Sequence, residues 1–245
     1  MTDYPLVPSE LEQFLRGGID LESRILEAGT RVREKSKVAF GEALLDGRLA
    51  MMSVLNVLLK LGPTAGLQPG AGESEALGLI AAFSQGTFAT ETLISEGQYI
   101  KAAASLKQDL EMLARLGEIR EDAQHKGTKH VPNVKFAPAG AGRIYGDLNA
   151  VAHVARPDLI NLLLERKPLS DEHAAIGPIP AFVKEAAVEL YTVHVWLLSE
   201  VCRELLRLYE SAWDEQDGQQ AELAMKFWLG AAHRLVTDGV FTQPG

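Results

Sequence analysis

The chain of 245 residues is 47% hydrophobic and carries a formal net charge of −9, values typical of a globular protein with one large core or two small ones. The negative charge disfavours indiscriminate binding to nucleic acid or anionic membranes, because the average field repels phosphate. The single cysteine, Cys202, excludes an internal disulfide and a thiolate metal site, and its helical surroundings predict an inert packing thiol.

The N-terminus lacks the basic and apolar regions of a signal peptide. The longest apolar run, residues 49–61, is broken by Ser53, Asn56 and Lys60 and is too short to span a bilayer. We therefore expect a cytoplasmic protein without a membrane partner.

Hydrophobic residues recur with a period near 3.6 along almost the whole chain, which predicts helices and no strands. Glycine- and proline-rich segments at 62–72, 127–142 and 167–180 are predicted loops. The predicted helices cover 9–18, 20–45, 48–61, 74–95, 98–125, 143–155, 157–166, 181–213 and 216–236.

This pattern predicts an all-α fold, a multi-helix bundle with long antiparallel helices. Residues 1–72 are expected to form an N-terminal helical layer and residues 73–245 the bundle core, unless 1–245 is a single domain. The third long helix carries the clearest core stripe, formed by Ile100, Ala103, Leu106, Leu110, Leu113 and Leu116 or Gly117.

Three polar residues spaced four apart stand out in the helix at 143–155. Tyr145, Asn149 and His153 stack along one stripe beside an apolar face. A phenol, an amide and an imidazole on one stripe could bind a ligand or perform acid–base catalysis, and they could equally form a satisfied polar seam. His153 lies in the last turn, where the helix dipole favours imidazolium.

The helix before it offers Glu111 as a partner for that stripe. Glu111 is four residues from Lys107, so the two could form an intrahelical pair. If the two helices pack together, Glu111 could instead orient His153 or Arg143.

Two predicted helices carry a shared set of residues, which are Ala102 or Ala103, Leu106, Lys107 and Glu111 in the first and Tyr145, Leu148, Asn149 and His153 in the second. On these residues, segments 98–118 and 143–158 resemble a family of uncharacterised bacterial all-helical proteins, which is similar to the HEPN-like superfamily. The resemblance implies a HEPN-like bundle core and, in active members, metal-independent RNA cleavage. Active members carry an arginine, four to six residues, and a histidine. Arg143 and His153 are separated by nine residues, whereas Arg120 with His125 and Arg166 with His173 fit that spacing.

A basic segment interrupts the acidic chain between residues 124 and 145, which contain no Asp or Glu. Its Lys126, Lys129, His130 and Lys135 form a candidate ligand-binding surface for phosphate or carboxylate. The alternative is a solvated loop that balances acidic neighbours.

Other histidines give weaker signals. Glu121, Asp122 and His125 could form half of a metal site, but no confident helix supplies the second half, so we expect no metal and no cofactor. His194 shares a stripe with leucines and is predicted to lie in the core.

Three functional hypotheses follow. The first is a binding or regulatory module, in a bacterial setting a defence component, with an anion-binding loop. The second is a HEPN-like ribonuclease that uses His153 with Arg143 or, as the alternative, Arg120 with His125. The third is a structural or oligomerising module, suggested by the apolar C-terminal helices. The expected partners are RNA or a small anion, or a second copy of the chain.

Overall fold

The computed structural model describes residues 8–61, 70–122, 131–153, 155, 158, 160, 163, 166–170, 173–176, 179–209 and 215–241. Long helices pack together as a bundle, which confirms the predicted all-α class. The helices are α1 (Pro8–Leu61), α2 (Ala71–Ser95), α3 (Tyr99–Arg120), α4 (Ala141–Ala152), α5 (Lys184–Tyr209) and α6 (Glu215–Thr237).

The N-terminal helices differ from the prediction. The predicted stop at Gly17 and Gly18 is wrong, because α1 runs through both glycines. A helical glycine costs only about 1 kcal/mol relative to alanine, which the flanking helix formers tolerate. The interruption of α1 instead lies at Gly41, whose φ of 71° and ψ of 165° are non-helical. A backbone conformation of this kind is essentially restricted to glycine.

Helices α2 to α4 follow the prediction closely. Helix α3 ends at Arg120, five residues before the predicted end, and packs against α2, α4 and α5. Its predicted stripe is buried from Ala103 to Gly117, with Ile100 half-buried at the edge. The predicted loop before α4 is irregular over residues 131–140, apart from the short 3-10 helix Val134–Phe136.

The segment between α4 and α5 departs from the prediction. Strands β1 (Arg166–Ser170) and β2 (His173–Ile176) form an antiparallel hairpin where a loop was expected. Proline at position 168 lacks an amide proton, which restricts it to an edge strand, and a two-stranded hairpin has only edges. The predicted helix at 157–166 lies mostly outside the described residues.

Helix α5 lies at the centre of the bundle. It packs against α1, α2 and α3, and α1 also packs against α6. The apolar face of α5, which suggested an oligomerising surface, is covered within the chain, as Val195, Leu198 and Leu205 show by being fully buried. Cys202 is fully buried as well, and burial raises the pKa of its thiol to about 12. The packing role predicted for this thiol is therefore confirmed.

In the described part of the chain, no helix is both long enough and apolar enough to cross a membrane.

Candidate functional site

A polar seam joins α3 to α4 at the centre of the predicted stripe. Tyr145 donates a hydrogen bond of 2.9 Å to Oε1 of Glu111, and Nζ of Lys107 donates one of 2.8 Å to the same oxygen. The Lys107 ammonium also lies 5.6 Å from the centroid of the Tyr145 ring. The carboxylate thus shares one oxygen between a phenol and an ammonium group.

The surroundings of Lys107 and Tyr145 in this seam raise the pKa values of both side chains. The hydrogen bond to Glu111 raises the pKa of Lys107, and burial together with Glu111 raises the pKa of Tyr145. The ammonium therefore stays charged and the phenol stays protonated at neutral pH. The hydrogen bonds of this set join α3 to α4.

The other two members of the stripe are not joined to this seam. His153 is exposed at the C-terminal cap of α4, and Asn149 is half-buried. Arg143 is also exposed, near the opposite end of the helix. His153 lies ten positions after Arg143, a rise of about 15 Å along the helix, so the guanidinium and the imidazole do not face one shared atom. Glu111 orients neither of them, because it binds Tyr145 and Lys107.

The predicted anion-binding loop is described only in its second half. Lys126, Lys129 and His130 lie outside the described residues, so their role stays a prediction. Lys135 is exposed and lies over the ring of Phe136, 4.6 Å from the centroid.

Two contacts fix this half of the loop on α3. The amide of Asn133 donates a hydrogen bond of 2.8 Å to Oε1 of Glu118, whose side chain is fully buried. The carbonyl of Phe136 lies so close to Gly117 that a Cβ there would overlap it. Sequence periodicity does not report such contacts, although a glycine on a core stripe is a hint of close approach.

The two alternative arginine–histidine pairs are not assembled either. Arg120 donates a hydrogen bond of 2.6 Å to Glu204 on α5, and His125 lies outside the described residues. Arg166 pairs with Ile176 at one end of the hairpin, while His173 pairs with Ser170 at the other.

A buried ion cluster that the sequence did not reveal joins α1, α2 and α5. Arg48 donates hydrogen bonds of 2.6 and 2.8 Å to the two carboxylate oxygens of Glu91. His194 lies 3.3 Å from the same carboxylate and is fully buried, which confirms its core position. Burial alone would raise the pKa of Glu91, but the hydrogen bonds from His194 and Arg48 outweigh it, and the pKa is lowered.

This cluster connects α1, α2 and α5 inside the bundle. Arg48 and Glu91 are each less than one fifth exposed, and the bidentate geometry is the strongest form of such a pair. Its only signal in the sequence is the position of His194, since Arg48 and Glu91 lie in unremarkable helical patterns.

A cavity of about 350 Å³ lies between the start of α2, the end of α3 and α5. Arg120 and Arg207 line it and share Oε1 of Glu204, at 2.6 and 2.7 Å. Glu73 lines it too, so two cations face two carboxylates and the lining has no excess positive charge to hold an anion.

Helix α1 carries an apolar stripe that projects beyond the bundle. We call the segment from residue 8 to residue 27 the arm; at 1.5 Å per residue it is about 30 Å long. Its side chains are exposed from residue 11 to residue 24. Leu11 is 44% exposed, Phe14 77% and Leu15 58%. Contiguous exposure of such residues is uncommon on the surface of a folded chain.

The same face of α1 is buried as soon as the helix meets the bundle. Ala28, Val32 and Ser36 are buried, and the Ser36 hydroxyl donates a hydrogen bond of 3.0 Å to the carbonyl of Ser95. Arg33 pairs with Glu96 at the end of α2. We define the arm stripe as the positions that continue this face outward at spacings of three and four: Leu11, Phe14, Gly18, Leu21 and Ile25.

Metal chemistry has no support in the described part of the chain, where no group of three or more His, Cys, Asp or Glu side chains could hold an ion. In the buried cluster, the Glu91 carboxylate binds Arg48 and His194.

Comparison with known proteins does not assign the chain to a family. The HEPN-like resemblance, which rests on residues 98–118 and 143–158, therefore stays a prediction. No protein-family model matches the chain, and neither the curated proteins nor the solved structures contain a match.

Proposed function

We propose that the protein is a binding module that docks a helical partner on the arm stripe, with the bundle as its rigid support. The observation that carries the proposal is the continuity of one helix face. From Ala28 onward the bundle buries this face, Ile25 is half-buried, and from residue 24 back to residue 11 the face has no cover.

The spacing of the stripe favours a helix as the partner. Positions three and four apart repeat every 3.5 residues on average, and a second helix packs its own side chains between them. Full burial of a leucine or phenylalanine contributes about 1.5–3 kcal/mol, so the stripe offers ample free energy for association.

The arm also has the length and the local support that an unpacked helix needs. A helix becomes marginal in water below about 12–15 residues, and the arm exceeds that length. Two pairs on its surface add to helix stability: Arg16 with Glu12 at 2.6 Å, and Arg24 with Asp20 at 3.7 Å.

The proposal is tested by the native size of the complex in cells that express the tagged chain. The wild type is expected in a complex larger than the 26.6 kDa chain. A variant with Leu11→Asp and Phe14→Asp is expected to run as the free chain, because both changes place charge on the arm stripe, where these side chains are exposed.

The matched control is Gln13→Asp, which adds charge to the arm outside the stripe and should leave the complex intact. A wild-type chain that runs free, or a complex that survives Leu11→Asp with Phe14→Asp, would overturn the proposal.

A further inference from the structure

We infer that the helix that covers the arm stripe is the arm of a second copy, in antiparallel orientation. The inference rests on the proposed function, since it names the partner of the same surface. Two features of the arm support it, the charge pattern of α1 and the shape of the arm stripe at Gly18.

The charges of α1 change sign along the helix. Residues 10–22, the tip, contain Glu10, Glu12, Asp20 and Glu22 against Arg16 alone, a net charge of −3. Residues 24–37, the base, contain five Lys or Arg against two Glu, a net charge of +3. A parallel pair would set tip against tip and base against base, so like charges would meet. An antiparallel pair lays each acidic tip towards the basic base of the other copy.

At Gly18 the arm stripe has a gap, which a side chain from the arm stripe of a second copy can fill. Gly18 is the small residue in the middle of the exposed part, and nothing lies within 4 Å of the position where its Cβ would be. In an antiparallel pair, Leu21 of the second copy can occupy the space over Gly18, and Phe14 then packs beside Ile25. By two-fold symmetry the same contacts form twice, as a closed dimer requires.

The start of the bundle limits how far the two arms can overlap. Ala28 is already buried by its own chain, so the tip of the second arm ends where the bundle begins. Arg31 lies just beyond that point and pairs with Glu27 of its own helix at 3.8 Å, and because its side chain is 65% exposed, the acidic tip of the second copy can also reach it.

The first test is the mass of the purified full chain by sedimentation equilibrium. We expect the wild type to reach twice 26.6 kDa at micromolar concentration, and the variant with Phe14→Glu and Leu21→Glu to remain a monomer. The matched control is Phe227→Glu on α6, because Phe227 is also a solvent-exposed aromatic residue, at 61%. A dimer that dissociates in Phe227→Glu but not in the arm variant would place the interface on α6 and overturn the inference.

The second test is charge reversal, which separates the two orientations. The tip variant (E10K with E12K) and the base variant (R24E with R31E) should each weaken the dimer about tenfold or more, since a factor of ten is only 1.4 kcal/mol. All four changes in one chain should restore the wild-type dissociation constant, because each tip again meets a base of opposite charge. Far-UV circular dichroism checks that the arm remains helical in every variant.

A parallel pair gives a different pattern. Reversing the tip would leave like charges facing each other as in the wild type, and the combined variant would show no restoration. This result would overturn the antiparallel orientation.

Failure of the inference can be told apart from failure of the proposed function. A purified chain that stays monomeric while the cellular complex persists shows that another protein covers the stripe. A chain that forms no complex in cells and stays monomeric when purified would overturn both proposals.

Discussion

Tyr145 on α4 donates a hydrogen bond to Glu111 on α3 across the contact between the two helices. This bond connects two residues of the predicted site, yet it gives them a packing role. Glu111 is occupied by Tyr145 and Lys107, which leaves Arg143 and His153 at the surface of α4 without it.

The first prediction concerns this bond. Tyr145→Phe removes the hydroxyl and keeps the ring, so it should lower the free energy of unfolding by about 0.5–1.5 kcal/mol, the usual value of one hydrogen bond. Urea denaturation measures the change. An unchanged midpoint would show that the bond contributes nothing to the contact between α3 and α4.

The second prediction tests the ribonuclease hypothesis. His153→Ala should change stability by less than about 0.5 kcal/mol, as is usual for an exposed residue. We expect no RNA cleavage by the wild type beyond that of a mock preparation, because Arg143 and His153 are not assembled on α4. Cleavage that disappears in both His153→Ala and Arg143→Ala would instead establish the ribonuclease.

The third prediction concerns the core between α3 and its neighbours. Leu110 is fully buried, so Leu110→Ala should cost about 2–5 kcal/mol through lost burial and the cavity left behind. Thermal or urea unfolding measures the loss. A loss below about 1 kcal/mol would contradict this packing.

The fourth prediction compares two helical glycines. Gly117→Ala should destabilise the protein by about 1–3 kcal/mol, because the new methyl group would overlap the carbonyl of Phe136. Gly78→Ala is the matched control in α2, where nothing lies within 4 Å of the new methyl group. There the change should stabilise by about 1 kcal/mol, the helix propensity difference. Equal effects at both positions would rule out the close approach of the loop to α3.

The fifth prediction concerns a buried carboxyl group on α3. Burial raises the pKa of Asp109 from 3.8 to about 7. Between these two values the folded state binds more protons at this group than the unfolded state does, so its contribution to stability falls as the pH rises from about 4 to about 7.

Asp109→Asn removes this titration. The variant should therefore gain stability relative to the wild type as the pH rises through that window, and urea midpoints at pH 4.5 and 7.5 measure the difference. A constant difference between variant and wild type at the two values would contradict a raised pKa.

The sequence was sufficient to predict the buried face of helices whose apolar residues repeat at helical spacing. The stripe of α3 repeats at helical spacing, and each of its leucines is buried. His194 and Cys202 sit within similar apolar patterns, so their burial could also be predicted. In these cases the local period alone selects the face that must leave water.

Contacts between distant segments could not be predicted in this way. The pairing of Arg48 with Glu91 joins residues 43 positions apart, and no local pattern marks either of them. The loop contact at Gly117 depends on where Phe136 returns to α3. The break at Gly41 was missed because a glycine in a helical pattern signals only tolerance, and its φ of 71° depends on where the rest of α1 must pack.

The sequence by itself determined the helical class and the buried faces, because side-chain periodicity and the removal of apolar surface from water are properties of each segment alone. Tertiary structure decided which polar residues meet and which apolar surface is left over. It assigned Glu111 to Tyr145, covered the face of α5 within the chain, and left the face of α1 uncovered from residue 11 to residue 24. The physical reason is that a periodic pattern fixes which side of a helix is apolar, whereas only the arrangement of all helices determines how much of that side finds a partner.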